Sequence, residues 1–311
     1  MKRIAVLYWL LSALILASCV KENFKEDDSE NVSSESLISK IFSATLENGT
    51  VSKTSLQDGV NFGKVNWEKG DKMTVLAWAD GKSSAYAFST ESEGPAADFT
   101  NEDGVAMASD YYAVYPHMSD DKYLYVKKAE GTGYGHDLIS ESTLSMVLQS
   151  SQPSSIGAST KFNALAAGKI AEDGKTLHMK NVCGLISLNI TDTDITSVTL
   201  YGNSGEQLAG KITAAFNEEG IPVISSTEGS NMVRIVPLKG SAFTPGTYYF
   251  CIPPTEFKEG LTLLFTNSAS QFATLRSKNT FIVQRSTISP SQYGHLVPFF
   301  PIDFSKVHPV L

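Results

Sequence analysis

The chain is poor in the residues that most chemistry uses. It has three cysteines in 311 residues, too few for a disulfide-dense scaffold or a cysteine-rich zinc module. Its five histidines, His117, His136, His178, His295 and His308, show no paired spacing, so no histidine metal site is expected. Arginine is absent between Arg3 and Arg234. Basic residues are outnumbered 33 to 25, a net charge of −8, which excludes a general nucleic-acid binder, because such a protein needs a basic footprint to displace counterions from phosphates. There is no HExxH, CxxC, P-loop or GxSxG. Gly131-Thr132-Gly133-Tyr134-Gly135 lacks the spacing of a dinucleotide fingerprint and reads as a turn. Asp120-Asp121 and Asp192-Thr193-Asp194 lack the further oxygen ligands that calcium requires. No metal, cofactor or catalytic group is therefore expected, and the chain does not read as an enzyme.

Hydrophobic content, by contrast, is ample at 42% with 19% charged residues, enough for a large core. A domain averages roughly 100–200 residues, so the length predicts two. The N-terminus opens with Lys2-Arg3, then fifteen apolar or small residues from Ile4 to Ser18. A bilayer-spanning helix needs about 20, so this segment reads as a signal peptide over residues 1–18. It ends Leu16-Ala17-Ser18-Cys19, the pattern of a bacterial lipobox. The predicted cut falls between Ser18 and Cys19, and the Cys19 thiol takes the acyl chains that hold the protein in the outer membrane. Each buried methylene adds about 0.8 kcal/mol, so several chains anchor stably. Removing Lys2 and Arg3 leaves a net charge of −10 on 293 residues. Residues 19–36 are polar and acidic and cannot pack a core, so they read as a flexible tether.

From Leu37 the sequence reads as strands. Ile186-Ser187-Leu188-Asn189-Ile190 and Leu261-Thr262-Leu263-Leu264-Phe265 alternate with period two. Lys72 to Trp78 and Tyr123 to Val126 are β-rich in composition. Asn48-Gly49, Asp80-Gly81, Asp173-Gly174 and Glu219-Gly220 are turn signals between such runs. The pattern predicts an all-β sandwich or barrel. Lys161 to Ile170 has the most helix-like composition, but Gly168 and its shortness favour a strand. A boundary near Lys175 divides the chain into halves, 37–175 and 176–311. Cys183 and Cys251 lie in strand-like segments and read as two buried thiols.

Several passages resemble the fimbrillin-like lipoproteins of gut and oral anaerobic Gram-negative bacteria. They are the lipobox at Cys19, Phe42-Ser43-Ala44-Thr45 leading to Lys53-Thr54-Ser55-Leu56, and the W-x-x-G-D passage Trp67-Glu68-Lys69-Gly70-Asp71. Tyr112-Ala113-Val114-Tyr115-Pro116, Leu144 to Gln149, Leu177 to Ile190 and Tyr248-Tyr249-Phe250-Cys251-Ile252-Pro253-Pro254 follow in order. The resemblance implies two tandem transthyretin-like Greek-key β-sandwich domains and a lipidated, surface-exposed precursor. It also implies a proteolytic cut near the first strand and assembly with other fimbrial subunits by strand exchange. Without an arginine in that region, Lys40 and Lys53 are the candidate cleavage sites. The C-terminal tail carries apolar residues at Ile302, Phe304 and Val307 as a candidate donor strand, though Pro298, Pro301 and Pro309 suit it only to an edge or a short strand. The alternative is a tip or standalone adhesin that does not polymerise and binds a glycan or host protein, with loop aromatics such as Tyr134 as stacking surfaces.

Overall fold

The Trp67–Asp71 passage shows how a few residues set a corner of the fold. Trp67 is buried; its indole N–H donates to the Ala44 carbonyl at 2.9 Å, and its ring meets Phe99 and Tyr115 edge-on. Gly70 takes φ +84°, which lets the chain reverse. The buried Asp71 carboxylate then accepts the Glu68 N–H at 2.9 Å and the Tyr115 hydroxyl at 3.2 Å. The motif is a structural corner that joins three segments distant in sequence.

The computed structural model describes residues 37–47, 66–118, 136–159 and 165–289. Its strands begin with β1 (Leu37–Ile38), β2 (Ile41–Leu46), β3 (Lys72–Ala79), β4 (Lys82–Ser89), β5 (Ala96–Thr100), β6 (Val105–Ala106) and β7 (Tyr111–Tyr115). Next come β8 (Asp137–Ser140), β9 (Thr143–Leu148), β10 (Ser151–Ser155), β11 (Ala158–Ser159), β12 (Ala166–Lys169) and β13 (Thr176–Asn181). They continue with β14 (Gly184–Ile190), β15 (Ile195–Gly202), β16 (Ala209–Phe216), β17 (Pro222–Ser230) and β18 (Met232–Pro237). The series ends with β19 (Gly246–Ile252), β20 (Thr255–Phe257), β21 (Leu261–Asn267), β22 (Phe272–Arg276), β23 (Phe281–Val283) and β24 (Ile288–Ser289). There is no helix among the described residues, so the protein is all-β.

Seven strands close on themselves in the order β12-β13-β2-β5-β4-β3-β7, with β7 pairing back to β12. Two of the joints are thin: β4 meets β5 through one pair, Ser89 and Thr100, and β12 meets β13 through two. The ring is therefore a flattened sandwich of β4-β3-β7-β12 against β5-β2-β13. Its core takes alternate residues, Phe42 and Ala44 from β2, Met73 and Val75 from β3, and Tyr111, Ala113 and Tyr115 from β7. The intervening residues Leu76, Tyr112, Val114 and Ala167 are buried as well, in a second core on the outer face of the same sheet. There β8, β9, β16 and β17 form a covering sheet, and the Phe216 ring stacks on Tyr112 at 5.8 Å. Two buried faces explain why β12 reads Ala-Ala-Gly-Lys: a Cβ at Gly168 would come within 2.8 Å of Met179 Sδ and 3.1 Å of the His178 carbonyl oxygen.

The second core continues into a six-stranded sheet, β11-β10-β18-β15-β21-β22, and smaller sheets β19-β14-β24 and β20-β23. Strand pairing does not follow a boundary at Lys175. β9 pairs with β16 and β10 with β18, while β13, beyond that point, returns to pair with β2. The chain thus enters the second body, comes back for β12 and β13, and leaves again. All described residues fall in one compact unit, Ser36–Leu311. Cys183 and Cys251 are buried thiols not joined in a disulfide.

Candidate functional site

Of the residues predicted to carry function, Ser18, Cys19, Lys53, Tyr134, Ile302, Phe304 and Val307 lie outside the described residues. Lys40 lies within them, in the two-residue link between β1 and β2. Its ammonium sits 4.0 Å from the Tyr111 ring centroid and 5.3 Å from that of Phe42. An aromatic face attracts a cation, and the partial burial lowers the Lys40 pKa below that of a solvated lysine. Upstream, β1 pairs with β6 over only two residues, with Gly104 in close contact below: a Cβ there would come 2.9 Å from the Ile38 carbonyl oxygen.

β2 has a different standing. It lies between β5, antiparallel, and β13, parallel, so both its edges are hydrogen-bonded. Phe42, Ala44 and Leu46 point into the first core. A chain cut at Lys40 would lose β1 and leave β2 in place. One cut at Lys53 would also free β2 from its downstream covalent connection. Loss of β2 would then open a six-residue groove with two unsatisfied strand edges and an apolar floor.

Just past β2, Glu47 makes a bidentate ion pair with Arg285, at 2.6 and 3.0 Å. Arg285 Nη1 also donates to the Asn181 carbonyl at 2.8 Å, and Glu47 accepts the Asn181 N–H at 2.9 Å. The Asn181 side-chain amide donates to Ser286 Oγ at 2.7 Å. Burial pushes the Glu47 carboxyl up, but the hydrogen bonds from Arg285 and the Asn181 N–H outweigh it and hold the group below the usual carboxylate range. Sequence reading passed over this joint. Its two charged residues are 238 positions apart, and neither belongs to a motif.

Arg285 and Ser286 lead directly into β24, which pairs in parallel with Leu185 and Ile186 of β14. Along that side of β14, Ser187 to Ile190 carry no strand among the described residues. The joint therefore ties the end of β2 to the start of the last described strand. Among the described residues no cluster of histidine, cysteine or carboxylate side chains is arranged to hold a metal ion. His136 is fully buried, with Nε2 2.9 Å from the Pro116 carbonyl oxygen and Nδ1 3.4 Å from the Val147 N–H.

No protein-family model matches the chain, and none of the curated proteins matches it. Among solved structures, the chain is similar to a crystal structure from Bacteroides ovatus described as a candidate cell adhesion protein. The two share 14% identity at a TM-score of 0.41, over 80% of this chain and 89% of that one. A similarly described protein from Bacteroides uniformis gives 14% identity and a TM-score of 0.41, over 79% and 88% of the two chains. A third, from Bacteroides thetaiotaomicron, gives 8% and 0.33, over 80% and 91%.

Proposed function

We propose that the protein is a non-enzymatic cell-surface adhesion lipoprotein, anchored in the outer membrane through Cys19 and assembled as a fimbrial subunit by strand exchange. The observation that carries this reading is the position of β2. It is the first long strand among the described residues, it lies between β13 and β5, and it buries alternate side chains. A lysine, Lys53, follows it seven residues after its end. Cutting there separates β1 and β2 from the rest of the chain as one removable segment. The groove left behind suits an incoming strand with apolar residues two apart, the spacing of Ile302 and Phe304 in the tail of another copy. A head-to-tail joint of this kind does not close on itself and so extends into a filament.

The test is limited trypsin digestion of the chain expressed from Val20, followed by unboiled gels and N-terminal sequencing. A new N-terminus at Thr54 with a ladder of detergent-resistant oligomers supports the subunit. An intact monomer, or one trimmed only at Lys40, argues against assembly by this route. The shielding of Lys40 and the missing arginines favour a second reading, an unprocessed adhesin that binds glycan or host protein as a monomer. Glycan-array binding by the uncut chain would support it.

A further inference from the structure

β22 ends one side of the six-stranded sheet, and among the described residues no strand pairs with its outer edge. An open edge is a template for another strand, and proteins blunt it with prolines, lysines, bulges or brevity. The other edges of this sheet and of the four-stranded sheet carry such devices. β17 begins at Pro222 and bulges at Ser225, whose hydroxyl donates back to the Thr213 carbonyl at 3.2 Å. β8 is short, with a break in register at Ile139, and β11 has only two residues. β22, Phe272-Ala273-Thr274-Leu275-Arg276, has no proline, lysine or bulge, and runs in unbroken register against β21.

The ladder fixes which main-chain groups of β22 face outward. The Ser277 N–H donates to the Leu261 carbonyl at 2.9 Å, and the Asn267 N–H to the Gln271 carbonyl at 3.1 Å. Bonding alternates along an antiparallel pair, so residues 271, 273, 275 and 277 bond to the β21 side. The N–H and C=O groups of Phe272, Thr274 and Arg276 therefore point away from it. Leu275 packs against the second core, so the side chains of these three lie on the opposite face, and all three are exposed. Arg276 forms no ion pair among the described residues, in contrast to Arg285.

These five residues are their own complement in the antiparallel direction. A two-fold axis at Thr274 sets Phe272 opposite the partner's Arg276, and Arg276 opposite the partner's Phe272. An aromatic ring attracts a guanidinium, and this happens at both ends of the joint. Thr274 meets the partner's Thr274, a favourable cross-strand pair. This register also uses every outward N–H and C=O of the three residues on both strands. The two Arg276 side chains stay four residues apart, roughly 13 Å, beyond the ~8 Å screening length at physiological salt.

We infer that β22 is a pairing edge at which two copies of this chain join antiparallel, carrying the six-stranded sheet across the two-fold axis. A joint of this symmetry closes at two copies. It leaves β2 in place and does not depend on strand exchange. So short an edge buries less than about 1,200 Å², which puts the dimer in the weak, reversible class.

The test is sedimentation velocity of the uncut chain expressed from Val20, at concentrations from about 1 to about 300 μM. A monomer–dimer equilibrium with a Kd of roughly 10–100 μM is expected. Phe272→Arg sets Arg against Arg at both ends and should weaken the dimer at least tenfold. Adding Arg276→Phe to that variant exchanges the two residues and should restore it. Thr274→Pro removes the N–H at the axis, spares the ladder to β21, and should abolish the dimer. Hydrogen exchange of the unaltered chain needs no substitution: the Phe272, Thr274 and Arg276 amides should exchange at least threefold more slowly at the highest concentration than at the lowest. A chain that stays monomeric throughout overturns the inference. So does a dimer that Phe272→Arg and Thr274→Pro leave unchanged, or one in which those three amides are not slowed.

Discussion

The ion pair between Glu47 and Arg285 offers the sharpest quantitative test of how the end of β2 is tied to the start of β24. Its side chains are 15% and 21% exposed, so it lies much nearer a buried pair than a surface one. Exposed pairs contribute about 0.2–1 kcal/mol, whereas removing one partner of a buried pair costs about 3–5 kcal/mol. Allowing for the residual exposure, Arg285→Met is expected to cost about 2–4 kcal/mol, because it leaves the Glu47 carboxylate with only the Asn181 N–H. Glu47→Gln keeps an acceptor for Asn181 and is expected to cost less, about 1.5–3 kcal/mol. The double variant should fall short of the sum by about 2 kcal/mol. Urea unfolding of the four proteins at pH 7 gives this coupling directly. Glu47 has a folded pKa below its unfolded one, so its contribution is present above the unfolded value and is lost as pH falls through the folded value. The wild-type advantage over Glu47→Gln should therefore shrink between pH 7 and pH 3. A coupling below about 0.5 kcal/mol would refute the reasoning, since the pair would then behave as a solvated surface contact.

Burial holds His136 neutral, with its pKa lowered to about 4. The unfolded chain binds this proton below about pH 6.5 and the folded one only near 4, so folding should lose about 3 kcal/mol between pH 7 and 4 through this residue. His136→Gln should flatten that part of a stability–pH profile measured by denaturant unfolding. Gly168→Val would press a branched side chain onto Met179 and the His178 carbonyl, and should cost about 2–3 kcal/mol in thermal or urea unfolding. Lys53→Ala should abolish trypsin-triggered oligomer ladders, while Lys40→Ala should leave them intact; gels of the two variants side by side decide it.

Period-two alternation made most of the fold legible. β14 and β21 follow the alternation read from the sequence over Ile186 to Ile190 and Leu261 to Phe265, while Leu185, next to Ile186, is buried as well. Where a strand is buried on both faces the alternation disappears, which is why β12 has the composition of a helix fragment. Alternation tells which way a side chain faces and says nothing about which sheet it joins. The parallel pairing of β10 with β18 and the return of β13 to β2 therefore left no trace that a boundary near Lys175 could use. Trp67, Gly70 and Asp71 were legible as a motif, and the structure gives them a structural duty. The Glu47–Arg285 joint depends on a tertiary meeting point that no local pattern encodes.

The returning path of the chain has a mechanical consequence. Three covalent connections run between the two cores, after β7, after β11 and after β13, and the sheet β4-β3-β7-β12 serves as a wall to both. A nick in any one of these connections leaves the other two intact. Neither core can hinge away without stripping the shared wall bare on one side. Under tension the two should yield together, as one long extension in a single-molecule pulling trace rather than as two shorter ones. A protein built this way resists shear as a single block.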